Sequence, residues 1–112
     1  SIVMQTCSTN ERYQAAGAVH PSFISPDMAA TVQCPFIFLP TKDDAKAMTG
    51  IKEAMDKTQF GASSVYKSFD TMHHGFCTGR GDLNVPEQAA AVTEAIHLLT
   101  TFFNDKLAPD AA

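Results

Sequence analysis

The run Met72-His73-His74-Gly75-Phe76-Cys77-Thr78-Gly79-Arg80-Gly81-Asp82 gathers two adjacent imidazoles, a thiol inside a Gly-x-Cys-x-Gly pattern and an Arg-Gly-Asp tripeptide. Four chemistries are open to such a set: a nucleophile elbow, a metal site, an adhesion ligand, or a general base waiting for a carboxylate. An elbow is a sharp turn from a strand straight into a helix. Here helix signals wait until Pro86 and Glu87, and Cys77 follows every candidate acid and base, against the hydrolase order in which the nucleophile comes first. Cys77 therefore reads as a small half-buried thiol. His73, His74 and Cys77 lack a second matching pair of ligands, whereas structural zinc takes four, so no metal is expected. An adhesion tripeptide needs an extracellular setting. Cys7, Cys34 and Cys77 are odd in number and show no Cys-x-x-Cys spacing, which points to free thiols in a reducing compartment. Arg80-Gly81-Asp82 then reads as a solvated turn. What remains is a histidine that takes a proton from a nucleophile while a buried carboxylate fixes its tautomer.

That chemistry needs elements to bring distant residues together. Ile2, Val3 and Cys7 suit the buried side of a short helix, and Tyr13 to Val19 reads as a small-residue strand stopped by His20-Pro21-Ser22. Ser25-Pro26-Asp27 opens at most one helical turn. The continuous apolar run Cys34 to Pro40 has the length and character of a parallel strand covered on both faces. Ala47, Met48, Ile51 and Met55 recur at helical spacing, with Glu53 and Lys57 four apart, which predicts a helix from Asp44 to about Gln59 despite Gly50. Ser64 to Phe69 is a third strand. Pro86 opens a last helix with Val92, Ala95, Ile96, Leu99, Phe102 and Phe103 as its apolar stripe, and Ala108 to Ala112 is a tail expected to fray. Strands alternating with helices imply an α/β fold with about three parallel strands. Chemistry in such sheets sits in loops beyond the carboxyl ends of the strands. Here those loops are His20-Pro21-Ser22, Thr41 to Asp44, and His73 to Asp82.

Composition narrows the function classes. A chain of 112 residues with 45% apolar and 18% charged residues is long enough for one modest core. A net charge of −4 with only 8 Lys plus Arg offers no electrostatic footprint for nucleic acid or an anionic membrane. No apolar run approaches the roughly 20 residues that span a bilayer. The expected setting is intracellular and cytoplasmic.

The stretch Tyr66-Lys67-Ser68-Phe69-Asp70-Thr71-Met72-His73-His74-Gly75-Phe76, followed by Arg80-Gly81 and an amphipathic helix ending near Phe102-Phe103, resembles the carboxyl end of dienelactone-hydrolase-like α/β-hydrolases. Ala18-Val19-His20-Pro21-Ser22-Phe23 and the strand from Pro35 to Lys42-Asp43-Asp44 match the same family in the same order, so the resemblance covers nearly the whole chain. It implies that His74 is the catalytic histidine and that the acid follows the Pro35 strand, with spacing that favours Asp44 over Asp43. It also implies that Arg80 lies near an arginine that holds the substrate carboxylate, in a loop of different length. No metal or organic cofactor is implied. The family's nucleophile is a cysteine on an elbow before the helix that resembles Ile2 to Cys7, and no such elbow is present here. The expectation is thus that residues 1–112 are the carboxyl-terminal portion of a single α/β-hydrolase domain. Its partners would be a small-molecule ester or lactone and the amino-terminal part of the fold, which would supply the nucleophile. The rival is a noncatalytic binding or regulatory module on the same scaffold.

Overall fold

In the structure, a computed structural model, residues 2–10, 12–22, 24–46 and 48–107 are described. In chain order the elements are α1 (Ile2–Thr9), β1 (Ala16–Val19), α2 (Pro26–Ala29), β2 (Phe36–Leu39), a 3₁₀ turn at Lys42–Asp44, α3 (Ile51–Asp56), a second 3₁₀ turn at Gly61–Ser63, β3 (Val65–Tyr66) and α4 (Pro86–Leu107). The strands form one parallel sheet in the order β1-β2-β3, as the alternation of element types requires. Ala16 pairs with Phe36 and Val19 with Leu39, while Ile37 pairs with Val65 and Phe38 with Tyr66. The α/β class and the three parallel strands match the sequence expectation.

β2 is buried at every position, which explains its unbroken apolar run. Its side chains alternate between two cores. Phe36 and Phe38 join Met4, Cys7, Ala16, Ala29, Met48, Ile51 and Met55, whereas Ile37 and Leu39 join Phe69, Met72, Phe76, Ala91, Ala95 and Phe102. The stacked rings of Phe36 and Phe38 anchor the first core at a centroid distance of 4.3 Å. Gly17 on β1 is required by closeness: a Cβ there would sit 2.7 Å from the Ile37 side chain.

Several expected boundaries are corrected. The helix from Asp44 to Gln59 is instead the 3₁₀ turn at Lys42–Asp44, further turns, and a six-residue α3. The break is Gly50, whose φ of 79° is left-handed and cannot continue a right-handed helix; it stands just before α3. Met48, Ile51 and Met55 are nevertheless buried together, and Ala47 lies outside the described residues. The third strand has two residues, with Phe69 rejoining the sheet only through an isolated bridge to Thr41. β1 starts at Ala16, leaving Tyr13 exposed. Val3 and Ile96, expected on apolar faces, are exposed; α1 buries Met4 and Cys7, and α4 buries Ala91, Ala95 and Phe102. The side chain of Ile2, together with Phe23 and the tail 108–112, lies outside what is described. No helix among the described residues is long and apolar enough to cross a membrane.

Candidate functional site

The parallel pairing of β2 with β3 aims both carboxyl ends the same way, so the turn after Leu39 and the loop after Tyr66 lie side by side. Two backbone hydrogen bonds and one isolated bridge pairing stitch them together. Phe69 N–H donates to the Pro40 carbonyl at 2.8 Å, Lys42 N–H donates to the Met72 carbonyl at 3.2 Å, and Thr41 bridges Phe69. Thirty residues apart in sequence, Asp44 and His74 thereby meet: Nδ1 of His74 stands 2.6 Å from Oδ1 of Asp44.

The two sides of this pair differ in environment. The Asp44 side chain is 5% exposed and that of His74 is 32% exposed. The other carboxylate oxygen of Asp44, Oδ2, accepts both the Thr41 backbone N–H and the Thr41 hydroxyl, each at 2.8 Å, and Thr41 is itself fully buried. Burial pushes the Asp44 carboxyl up, but the bonds from His74 and Thr41 outweigh it and hold the carboxyl below its ordinary value. Asp44 is thus a carboxylate at neutral pH. An anion on Oδ1 places the imidazole proton on Nδ1 and leaves Nε2 of His74 as the basic nitrogen, the arrangement a general base requires.

Asp43 and His73, the neighbours that the resemblance ranked behind Asp44 and His74, are placed differently. Oδ2 of the exposed Asp43 accepts the backbone N–H of His74 at 2.9 Å, so it grips the main chain and not the ring. Nδ1 of His73 lies 3.0 Å from the carbonyl oxygen of His74, so it donates there.

His20, at the carboxyl end of β1, joins the site as well. Its ring stands edge-on to that of His74 with 4.9 Å between centroids, and edge-on to Phe76 at 6.1 Å. Its backbone φ of 37° is left-handed, a conformation that costs a residue with a side chain about 1–3 kcal/mol. A bond of 2.8 Å from its N–H to the Leu39 carbonyl and the buried Pro21 hold it there. Its Nε2 is buried and has no hydrogen-bond partner among the described residues. Burial, and then the adjacent His74, push the pKa of His20 down. Sequence reasoning gave His20 a loop but no role; the signal lay in its position at a strand end beside two others.

Arg80 is exposed, with its aliphatic stem against Gly75: a Cβ on Gly75, whose φ is 89°, would lie 3.1 Å from Cβ and Cδ of Arg80. Gly81 meets the carbonyl of Phe76 so closely that a Cβ would fall 1.9 Å from its oxygen, so only glycine fits this turn. Asp82 accepts the Asn84 N–H at 2.9 Å in the turn before α4. Cys77 sits in successive turns, with no helix following until Pro86, and burial pushes its thiol up to about 11. That is the setting of a packed thiol and not of an elbow. Among the described residues no group of three His, Cys, Asp or Glu could hold a metal ion.

No protein-family profile and no solved structure matches the chain. Two proteins of Schizosaccharomyces pombe, both described as uncharacterized AIM2 family proteins, do match. One is 34% identical over 102 residues, covering 90% of this chain and 41% of the relative. The other is 30% identical over 104 residues, covering 92% of this chain and 42% of the relative. The chain spans about two-fifths of the length of the curated relatives it matches. Over some nine-tenths of its own length it is a homologue of AIM2 family proteins.

Proposed function

We propose that this chain is the carboxyl-terminal portion of a dienelactone-hydrolase-like carboxylic-ester or lactone hydrolase. The observation that carries the proposal is the 2.6 Å contact between His74 Nδ1 and a buried Asp44, at the carboxyl ends of adjacent parallel strands. In this scheme a thiol outside these 112 residues loses its proton to Nε2 of His74 and attacks the ester or lactone carbonyl. Asp44 stabilises the imidazolium, and His74 then returns the proton to the leaving alkoxide. Water repeats the cycle on the thioester, releasing the acid. Arg80 grips a carboxylate on the substrate through its guanidinium fork. No cofactor takes part. β1 is an edge strand, and its open side is where a further strand of the domain would pair.

The resemblance to dienelactone hydrolases supports the reaction class, and homology to AIM2 family proteins supports the extent of the missing part. The test is to incubate the intact protein with p-nitrophenyl acetate, follow p-nitrophenol release, and map any thioester by mass spectrometry. The expected result is turnover with the acyl group on a cysteine beyond residues 1–112. An intact protein with neither turnover nor adduct would instead be a binding module on the same scaffold.

A further inference from the structure

We propose that His20 is a substrate-contacting residue of this site, and that its Nε2 donates a hydrogen bond to an oxygen of the ester or lactone held at His74. The inference rests on the proposed function for the identity of the ligand, but on separate observations for the residue. A buried polar atom without a partner is uncommon in a folded protein and calls for a missing partner. Among the described residues Nε2 of His20 is such an atom, and its ring lies edge-on to the ring that would serve the reaction, 4.9 Å between centroids. Asp44 occupies Nδ1 of His74, so the reacting group must approach the imidazole at Nε2. A ligand there sits on the ring against which His20 is packed edge-on.

The backbone points the same way. Left-handed φ in a residue with a side chain clusters at ligand sites, where surrounding structure holds the strain in place. Here the Leu39 carbonyl holds the His20 N–H, and Leu39 belongs to the strand that also delivers Asp44. The ring faces His74, Asp44, His73 and Phe76, and burial followed by the nearness of His74 favours its uncharged form. An uncharged imidazole can donate to a carbonyl oxygen without placing a second cation beside the His74 imidazolium.

The test compares His20→Phe, His20→Gln and His74→Ala in the intact protein with p-nitrophenyl acetate. Phenylalanine keeps a planar ring against His74 and Phe76 but has no donor, whereas glutamine restores one. His20→Phe is expected to lower kcat/KM about tenfold or more, the worth of one hydrogen bond to the reacting group, with partial rescue by His20→Gln. A His20→Phe variant within twofold of the parent would overturn the inference. If His74→Ala remains fully active while His20→Phe does not, the proposed function fails and the His20 contact stands. If the protein turns over no ester, ring ¹⁵N resonances with acetate as the probe decide. A saturable acetate-induced shift at Nε2 of His20 supports the contact, and an unmoved resonance refutes it.

Discussion

The backbone N–H of His74 donates to Asp43 at 2.9 Å, while the ring of the same histidine is held by the next residue, Asp44. One 3₁₀ turn therefore fixes both where the histidine stands and how its ring is oriented, by presenting an exposed and a buried carboxylate in succession.

Unequal consequences follow for the two acids. In the intact protein His74→Ala is expected to cut ester turnover about 10³-fold or more, and Asp44→Asn by a somewhat smaller factor, because the asparagine no longer fixes the tautomer or stabilises the imidazolium. Asp43→Asn, which keeps an acceptor oxygen, should leave activity nearly unchanged, and His73→Ala should do little. Steady-state kinetics on the four variants check this. A His73→Ala variant more impaired than His74→Ala would reverse the assignment.

Thr41 supports the acid from behind. Replacing it with valine keeps the shape but removes the hydroxyl that Oδ2 of Asp44 accepts in a fully buried setting. The expected loss is about 1–3 kcal/mol of stability, the usual consequence of leaving a buried acceptor short of a donor. Urea unfolding of the intact protein measures it, and an unchanged midpoint at unchanged slope would show the hydroxyl to be dispensable.

Acid should destabilise the fold in two stages. The pKa of His20 is depressed from 6.5, so below that pH the unfolded chain binds a proton that the folded one resists. Stability therefore falls as pH drops from about 6.5 towards the folded pKa of His20. The pKa of Asp44 is depressed from 3.8, so its contribution is complete above that value and disappears as pH falls through the folded pKa. Unfolding midpoints across this range should lose the upper limb in His20→Phe and the lower limb in Asp44→Asn. A parent whose stability is flat from pH 7 to pH 5 would contradict the first stage.

The thiols should be slow to react. Burial pushes Cys34 up to about 12 and Cys77 to about 11, and raises Cys7 as well, so little thiolate is present near pH 8. Iodoacetamide should label these three cysteines only as fast as the fold opens, and Cys77→Ser should leave most ester hydrolysis in place. Rapid native labelling of Cys77, or an acyl adduct on it, would restore the local elbow.

Periodicity and loop chemistry made the architecture legible because β2 is apolar throughout and α4 is long with a clear start. They failed at Gly50, where a single left-handed residue outweighs a well-spaced apolar set on either side. They also failed at Val3 and Ile96, whose exposure depends on which other elements cover each helix. Within the candidate site, residue types and order pointed to a histidine and a carboxylate at neighbouring strand ends, and the resemblance to dienelactone hydrolases picked out His74 and Asp44. The Thr41 hydroxyl, the backbone grip of Asp43 and the ring contact of His20 arise only when three strand ends come together, and no local pattern encodes them.

Because β2 divides its side chains between two cores, tolerance to change should be lopsided across the sheet. Phe69, Met72 and Phe76, the apolar residues that bracket the histidine loop, all lie in the core shared with Ile37, Leu39 and α4, and none lies in the one shared with Phe36 and Phe38. Methionines and phenylalanines can drift on the α3 side at the expense of stability alone. On the α4 side the same drift also displaces an imidazole, so sequence variation there is filtered twice, once for folding and again for geometry.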